Sequence, residues 1–114
     1  MIKKITIIGV GLIGGSLAKS IKNNNLAEVV FGFGRNLSRL EVAQKSNIID
    51  QYSIDISEAL DGASIVVIAT PVGTFESILR ELKPYIAEGM IITDVGSTKM
   101  GIAKSAREIL VEMA

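Results

Sequence analysis

The chain has 114 residues, which is one domain at the usual size of about 100–200 residues. Hydrophobic residues make up 48% and charged residues 21%, a balance that fits a globular chain and excludes a disordered one. Lys plus Arg and Asp plus Glu each number 12, so the net charge is zero, without the basic footprint of a nucleic-acid binder or a polybasic membrane patch. In chain order, β-branched Ile2–Ile8 predicts a strand and Leu12–Lys22 a helix. Glu28–Phe33 is the next strand and Ser38–Ser46 the next helix. A short strand follows at Gln51–Ile54, then a short helix at Ser57–Leu60. Ser64–Ala69 is a strand with no polar face. Thr74–Leu82 places Phe75, Ile78, Leu79 and Leu82 at helical spacing, and Pro84 closes it. Met90–Asp94 is the last strand. A final helix carries Ile102, Ala106, Ile109, Leu110 and Met113 on one face, with Ser97 or Thr98 as N-cap.

The strands are nearly continuous in Ile and Val instead of alternating. Such runs suit parallel strands covered on both faces. Strand–helix alternation then predicts an α/β fold, a Rossmann-type doubly wound, mainly parallel sheet with helices on both faces. Residues 1–114 form a single unit with no internal repeat and no linker.

Several chemistries are excluded by what is missing. Cysteine is absent, so there is no disulfide framework, thiolate nucleophile or Cys-ligated zinc, and no metal site is expected. Histidine is absent too, so an imidazole base, if one is used, lies outside these residues. The apolar stretch Ile5–Gly15 is broken by glycine and too short to span a bilayer. No small-residue cleavage site follows it, and a soluble, cytoplasmic protein is expected.

Gly9-Val10-Gly11-Leu12-Ile13-Gly14 is a G-x-G-x-x-G that directly follows a predicted strand and opens a predicted helix. Gly9 permits the tight turn, Gly11 lets a pyrophosphate approach the backbone, and Gly14 lets helix and strand pack closely. Leu12 and Ile13 stand between the glycines, where the helix N-terminus offers N–H groups to phosphate. A glycine-rich turn without ligand is the bland alternative. An acid about 20 residues on, at the end of the second strand, usually bonds the ribose 2′-hydroxyl. That position is Gly34, and Arg35 comes next. A guanidinium pairs well with a 2′-phosphate, so NADP is preferred to NAD, or at least tolerated. Arg35 is the main candidate, with Asn36, Ser38 and Arg39 as further donors. An ordinary solvated arginine is the alternative there.

The stretch Gly9 to Ala18, then Ala69-Thr70-Pro71-Val72, then Thr93-Asp94-Val95-Gly96-Ser97-Thr98-Lys99 resembles the prephenate dehydrogenase family, which includes arogenate and cyclohexadienyl dehydrogenases. The resemblance covers essentially the whole chain. It implies hydride transfer to NAD(P)+ from the hydroxyl-bearing ring carbon of prephenate, or of arogenate, with loss of CO2, in tyrosine biosynthesis. It further implies that a histidine of a Gly-His-Pro type motif takes the hydroxyl proton, and that a helical domain completes the pocket and the homodimer. Neither lies within these 114 residues, so the chain reads as the cofactor domain alone, near-monomeric and without activity of its own. Ser97 matches the family serine near the catalytic histidine and substrate hydroxyl, a role compatible with an N-cap. Thr70 and Pro71 match the loop beside the nicotinamide ribose, at a strand's carboxyl end. Two other readings stay open: a related hydroxyacid dehydrogenase or imine reductase, and a nucleotide-sensing module without chemistry.

Overall fold

The computed structural model describes residues 2–70 and 74–94. The strands are β1 (Ile2–Ile8), β2 (Ala27–Phe33), β3 (Gln51–Ser53), β4 (Ile65–Ile68) and β5 (Ile91–Asp94). The helices are α1 (Leu12–Asn23), α2 (Leu37–Lys45), α3 (Ile56–Leu60) and α4 (Phe75–Leu82), and a 3-10 turn, Lys83–Tyr85, follows α4. Among the described residues the sheet has the order β3-β2-β1-β4-β5, and every neighbouring pair is parallel.

Period-2 alternation sends successive strand residues to opposite faces, and both faces are apolar. Ile5 and Ile7 of β1, Val30 of β2, and Ile65 and Val67 of β4 pack with Leu17, Ala18 and Ile21 of α1 and Leu40 and Ala43 of α2. Ile8, Phe31, Phe33, Val66 and Ile68 point the other way, onto Ala59 and Leu60 of α3 and Leu82 of α4. The expected doubly wound sheet, with helices on both faces, is therefore present. Thr6 shares the second face and is fully buried. Its Oγ1 donates to the Ala59 carbonyl at 2.6 Å, which ties β1 to α3 and satisfies the hydroxyl.

Asparagine ends both long helices. Asn25 and Asn47 follow the C-caps of α1 and α2 with φ of 52° and 61°, the left-handed region that asparagine tolerates. The N–H groups of Leu26 and Ile48 then bond back to the Ile21 and Ala43 carbonyls, the Schellman pattern. These turns return the chain at once to the sheet.

The predicted elements differ from the observed ones at their ends. Helix α2 begins at Leu37, because Asn36 Oδ1 accepts from the Arg39 N–H and caps it. Likewise α3 begins at Ile56, because Asp55 accepts from the Ser57 N–H. Beyond Leu82 the chain continues as the 3-10 turn that contains Pro84. The final predicted helix lies outside the described residues. No helix among the described residues is long and apolar enough to cross a membrane.

Candidate functional site

Strand order reverses at β1, which has β2 on one side and β4 on the other. In open α/β sheets such a reversal opens a crevice beyond the carboxyl ends of the strands. Here a cleft of about 510 Å³ opens there, lined by residues from three strand ends. Gly9 to Ile13 come from the end of β1, Gly34 to Asn36 from the end of β2, and Ala69 and Thr70 from the end of β4. Backbone bonds lock these loops together. The Gly9 N–H donates to the Phe33 carbonyl and the Ala69 N–H to the Ile8 carbonyl, each at 2.8 Å.

The three motif glycines meet three different constraints. Gly9 has φ +91°, and a Cβ there would stand 3.0 Å from Thr70 Cγ2. At Gly14 a Cβ would lie 2.1 Å from the Gly9 carbonyl oxygen, so the helix can lie this close to the turn only without a side chain. At Gly11 a Cβ would meet no atom of the described residues within 4 Å. Packing among the described residues does not demand glycine at that position; an incoming group would. Gly11 is also the N-cap of α1 and supplies no side-chain cap. The first turn of α1 carries no acidic residue, so its N–H groups and positive dipole end face the cleft without an anion from their own turn. This is the donor set that a pyrophosphate takes. Leu12, at the first helical position, is 81% exposed, an apolar side chain held at the cleft mouth.

At the far end of the cleft, Arg35 Nη2 donates to Glu81 Oε1 of α4 at 3.0 Å. Arg39 lines the cleft, and it lines a neighbouring 370 Å³ recess together with Asn36 and Ser38. Asn36 spends its side-chain oxygen on capping α2, which leaves its amide N–H groups as donors. Thr70 Oγ1 and Thr74 Oγ1 lie 2.7 Å apart and share a hydrogen bond that fixes the Thr70 hydroxyl beside the Gly9 turn.

The structure thus brings together Gly9, Gly11, Leu12, Ile13, Gly34, Arg35, Asn36 and Thr70 around one cleft, with Gly14 packed against the Gly9 carbonyl. Pro71 and Ser97 lie outside the described residues. Sequence reasoning missed Glu81, which sits in an ordinary amphipathic helix and carries no motif signal. Among the described residues no group of three or more acidic, Cys or His side chains is gathered to hold a metal.

A doubly wound sheet with a glycine-lined cleft at its switch point defines a nucleotide-binding domain. Residues 17–114 match the family model described as prephenate dehydrogenase, nucleotide-binding domain, and the chain belongs to that family. The prephenate dehydrogenase of Lactococcus lactis is 34% identical over 108 residues, covering 94% of this chain and 30% of its own length. The structure of Synechocystis arogenate dehydrogenase is similar with a TM-score of 0.76 and 32% identity, over 93% of this chain and 37% of that one. The A. aeolicus prephenate dehydrogenase, solved with hydroxyphenyl propionate and NAD+, gives a TM-score of 0.76 and 29% identity, over 82% of this chain and 33% of that one. The chain therefore spans about a third of the length of these relatives.

Proposed function

We propose that the chain is the nicotinamide-dinucleotide-binding domain of a prephenate or arogenate dehydrogenase of tyrosine biosynthesis. Bound in the cleft, the cofactor supplies a hydride acceptor for the ring carbon that bears the substrate hydroxyl, as CO2 leaves. The residues of this chain bind and orient. The α1 N-terminus, opened by Gly11, holds the pyrophosphate, with Gly9 and Gly14 fixing the turn. Leu12 and Ile13 supply apolar contact at the cleft mouth. Thr70, steadied by Thr74, and then Pro71 border the nicotinamide ribose. Ser97 positions the substrate hydroxyl. A histidine outside these 114 residues is the base, and a further helical domain completes the pocket and the homodimer. The observation that supports this reading most is the α1 N-terminus, without a side-chain cap, at Gly11, where no atom of the described residues would meet a Cβ.

Arg35, with Asn36, Ser38 and Arg39, favours NADP+ over NAD+, because a 2′-phosphate gains a charge-assisted pair where most such domains place an acid. Calorimetric titration of the chain with each cofactor at one salt concentration tests both points. Tighter NADP+ binding is expected, weakened about tenfold by Arg35→Ala while NAD+ is little changed. Tighter NAD+ would reduce Arg35 to a surface charge and leave the rest of the reading standing. Binding of neither would overturn the assignment of the cleft. The chain by itself is expected to be near-monomeric and to turn over neither prephenate nor arogenate. Turnover of either would require a base within these residues.

A further inference from the structure

The end of β2 has no acid in its own sequence: Gly34 occupies the place and Arg35 follows. Yet a carboxylate is present there in space. Glu81, 46 residues further along and carried on α4, accepts from Arg35 Nη2 at 3.0 Å. Arg35 lines the cleft, whereas Glu81 is not among its lining residues. The cleft thus meets a guanidinium whose charge is balanced by a carboxylate from a different element. We propose that Glu81 is a specificity-determining residue that lowers the preference for a 2′-phosphate over a 2′-hydroxyl. The inference rests on the dinucleotide reading above.

The physical case is one of competition. A guanidinium has five N–H donors, and the Glu81 bond occupies one of them. Arg35 can therefore reach a phosphate, but as half of a neutral pair, whose attraction for a second anion is weaker than that of a lone guanidinium. Arg35 is 78% exposed and Glu81 41%, so solvent screens the pair and it breaks at little cost. Glu81 thus tempers binding of a 2′-phosphate without blocking it. A purely structural tie between α4 and the β2–α2 loop makes a different prediction. It would shift stability and leave untouched the ratio of affinities for two cofactors that differ only in the 2′-phosphate.

Calorimetric titration of wild type, Glu81→Gln, Arg35→Ala and the double variant with NADP+ and NAD+ separates these cases, with thermal unfolding of each variant alongside. Glu81→Gln is expected to raise the NADP+-to-NAD+ affinity ratio about three- to tenfold. In the Arg35→Ala background the same substitution is expected to change it less than twofold. If both cofactors bind and Glu81→Gln moves the ratio less than twofold, the role of Glu81 is overturned and the cleft assignment stands. An equal shift with and without Arg35 also overturns it, because Glu81 would then not act through Arg35. If wild type binds neither cofactor, the cleft assignment fails and this inference fails with it.

Discussion

Gly11 and Gly14 belong to one motif but answer to different forces, and substitution separates them. A Cβ at Gly14 would drive into the Gly9 carbonyl, so Gly14→Ala is expected to cost about 3 kcal/mol in chemical denaturation, despite the better helix propensity of alanine. Gly11→Ala meets no atom of the described residues and is expected to leave stability within about 0.5 kcal/mol while weakening cofactor binding at least tenfold. Equal loss of stability in both variants would contradict this division. Asn36→Ala removes the α2 cap and is expected to cost about 1 kcal/mol in the same assay. At this scale the motif was legible in the sequence, because a G-x-G-x-x-G between strand and helix carries its own geometry. The Arg35–Glu81 pair was not, because it depends on where α4 comes to rest against the end of β2. No local pattern encodes that distance.

Among the elements, β1 fastens α3 through two of its side chains, Thr6 and Lys4. Thr6→Val would keep the volume but strip the Ala59 carbonyl of its hydroxyl donor, at an expected cost of about 1–2 kcal/mol in urea unfolding. An unchanged midpoint would mean that the bond contributes nothing net. Lys4 reaches the end of the same helix: its Nζ donates to the Glu58 and Asp61 carbonyls at 3.0 and 2.7 Å and sits over the Phe31 ring. Burial lowers its pKa from the ordinary 10.5, against the opposing pull of the Asp61 and Glu58 carboxylates. Between the lowered value and 10.5 the unfolded chain binds the proton more tightly than the folded one. This residue's contribution to stability therefore rises with pH through that window. Denaturation midpoints across the window should show that rise in wild type and lose this component in Lys4→Met. Strands β1, β2, β4 and β5 were legible from their Ile and Val runs, whereas the short β3 carries none. The starts of α2 and α3 were placed one residue late, because Asn36 and Asp55 act as caps and a cap lies one residue before its helix.

At the scale of the whole molecule, strand–helix alternation without polar strand faces foretold the parallel, two-faced sheet, because crossover helices cover both faces of such strands. The sheet order carries the functional consequence. Reversal at β1 brings the ends of β1, β2 and β4 around one cleft, though they lie far apart along the chain. The depth of that cleft and the partnering of Arg35 are properties of the assembled layers and have no signature in any single segment. The central claim is that a nicotinamide dinucleotide lies in this cleft with its pyrophosphate at the α1 N-terminus. Backbone amide chemical-shift mapping during titration of the isotope-labelled chain with NADP+ tests it most directly. Saturable shifts are predicted to cluster at Gly9, Gly11, Leu12, Ile13 and Gly14, and at Gly34 to Asn36. An absence of shifts there, or a cluster elsewhere on the sheet, would contradict the account.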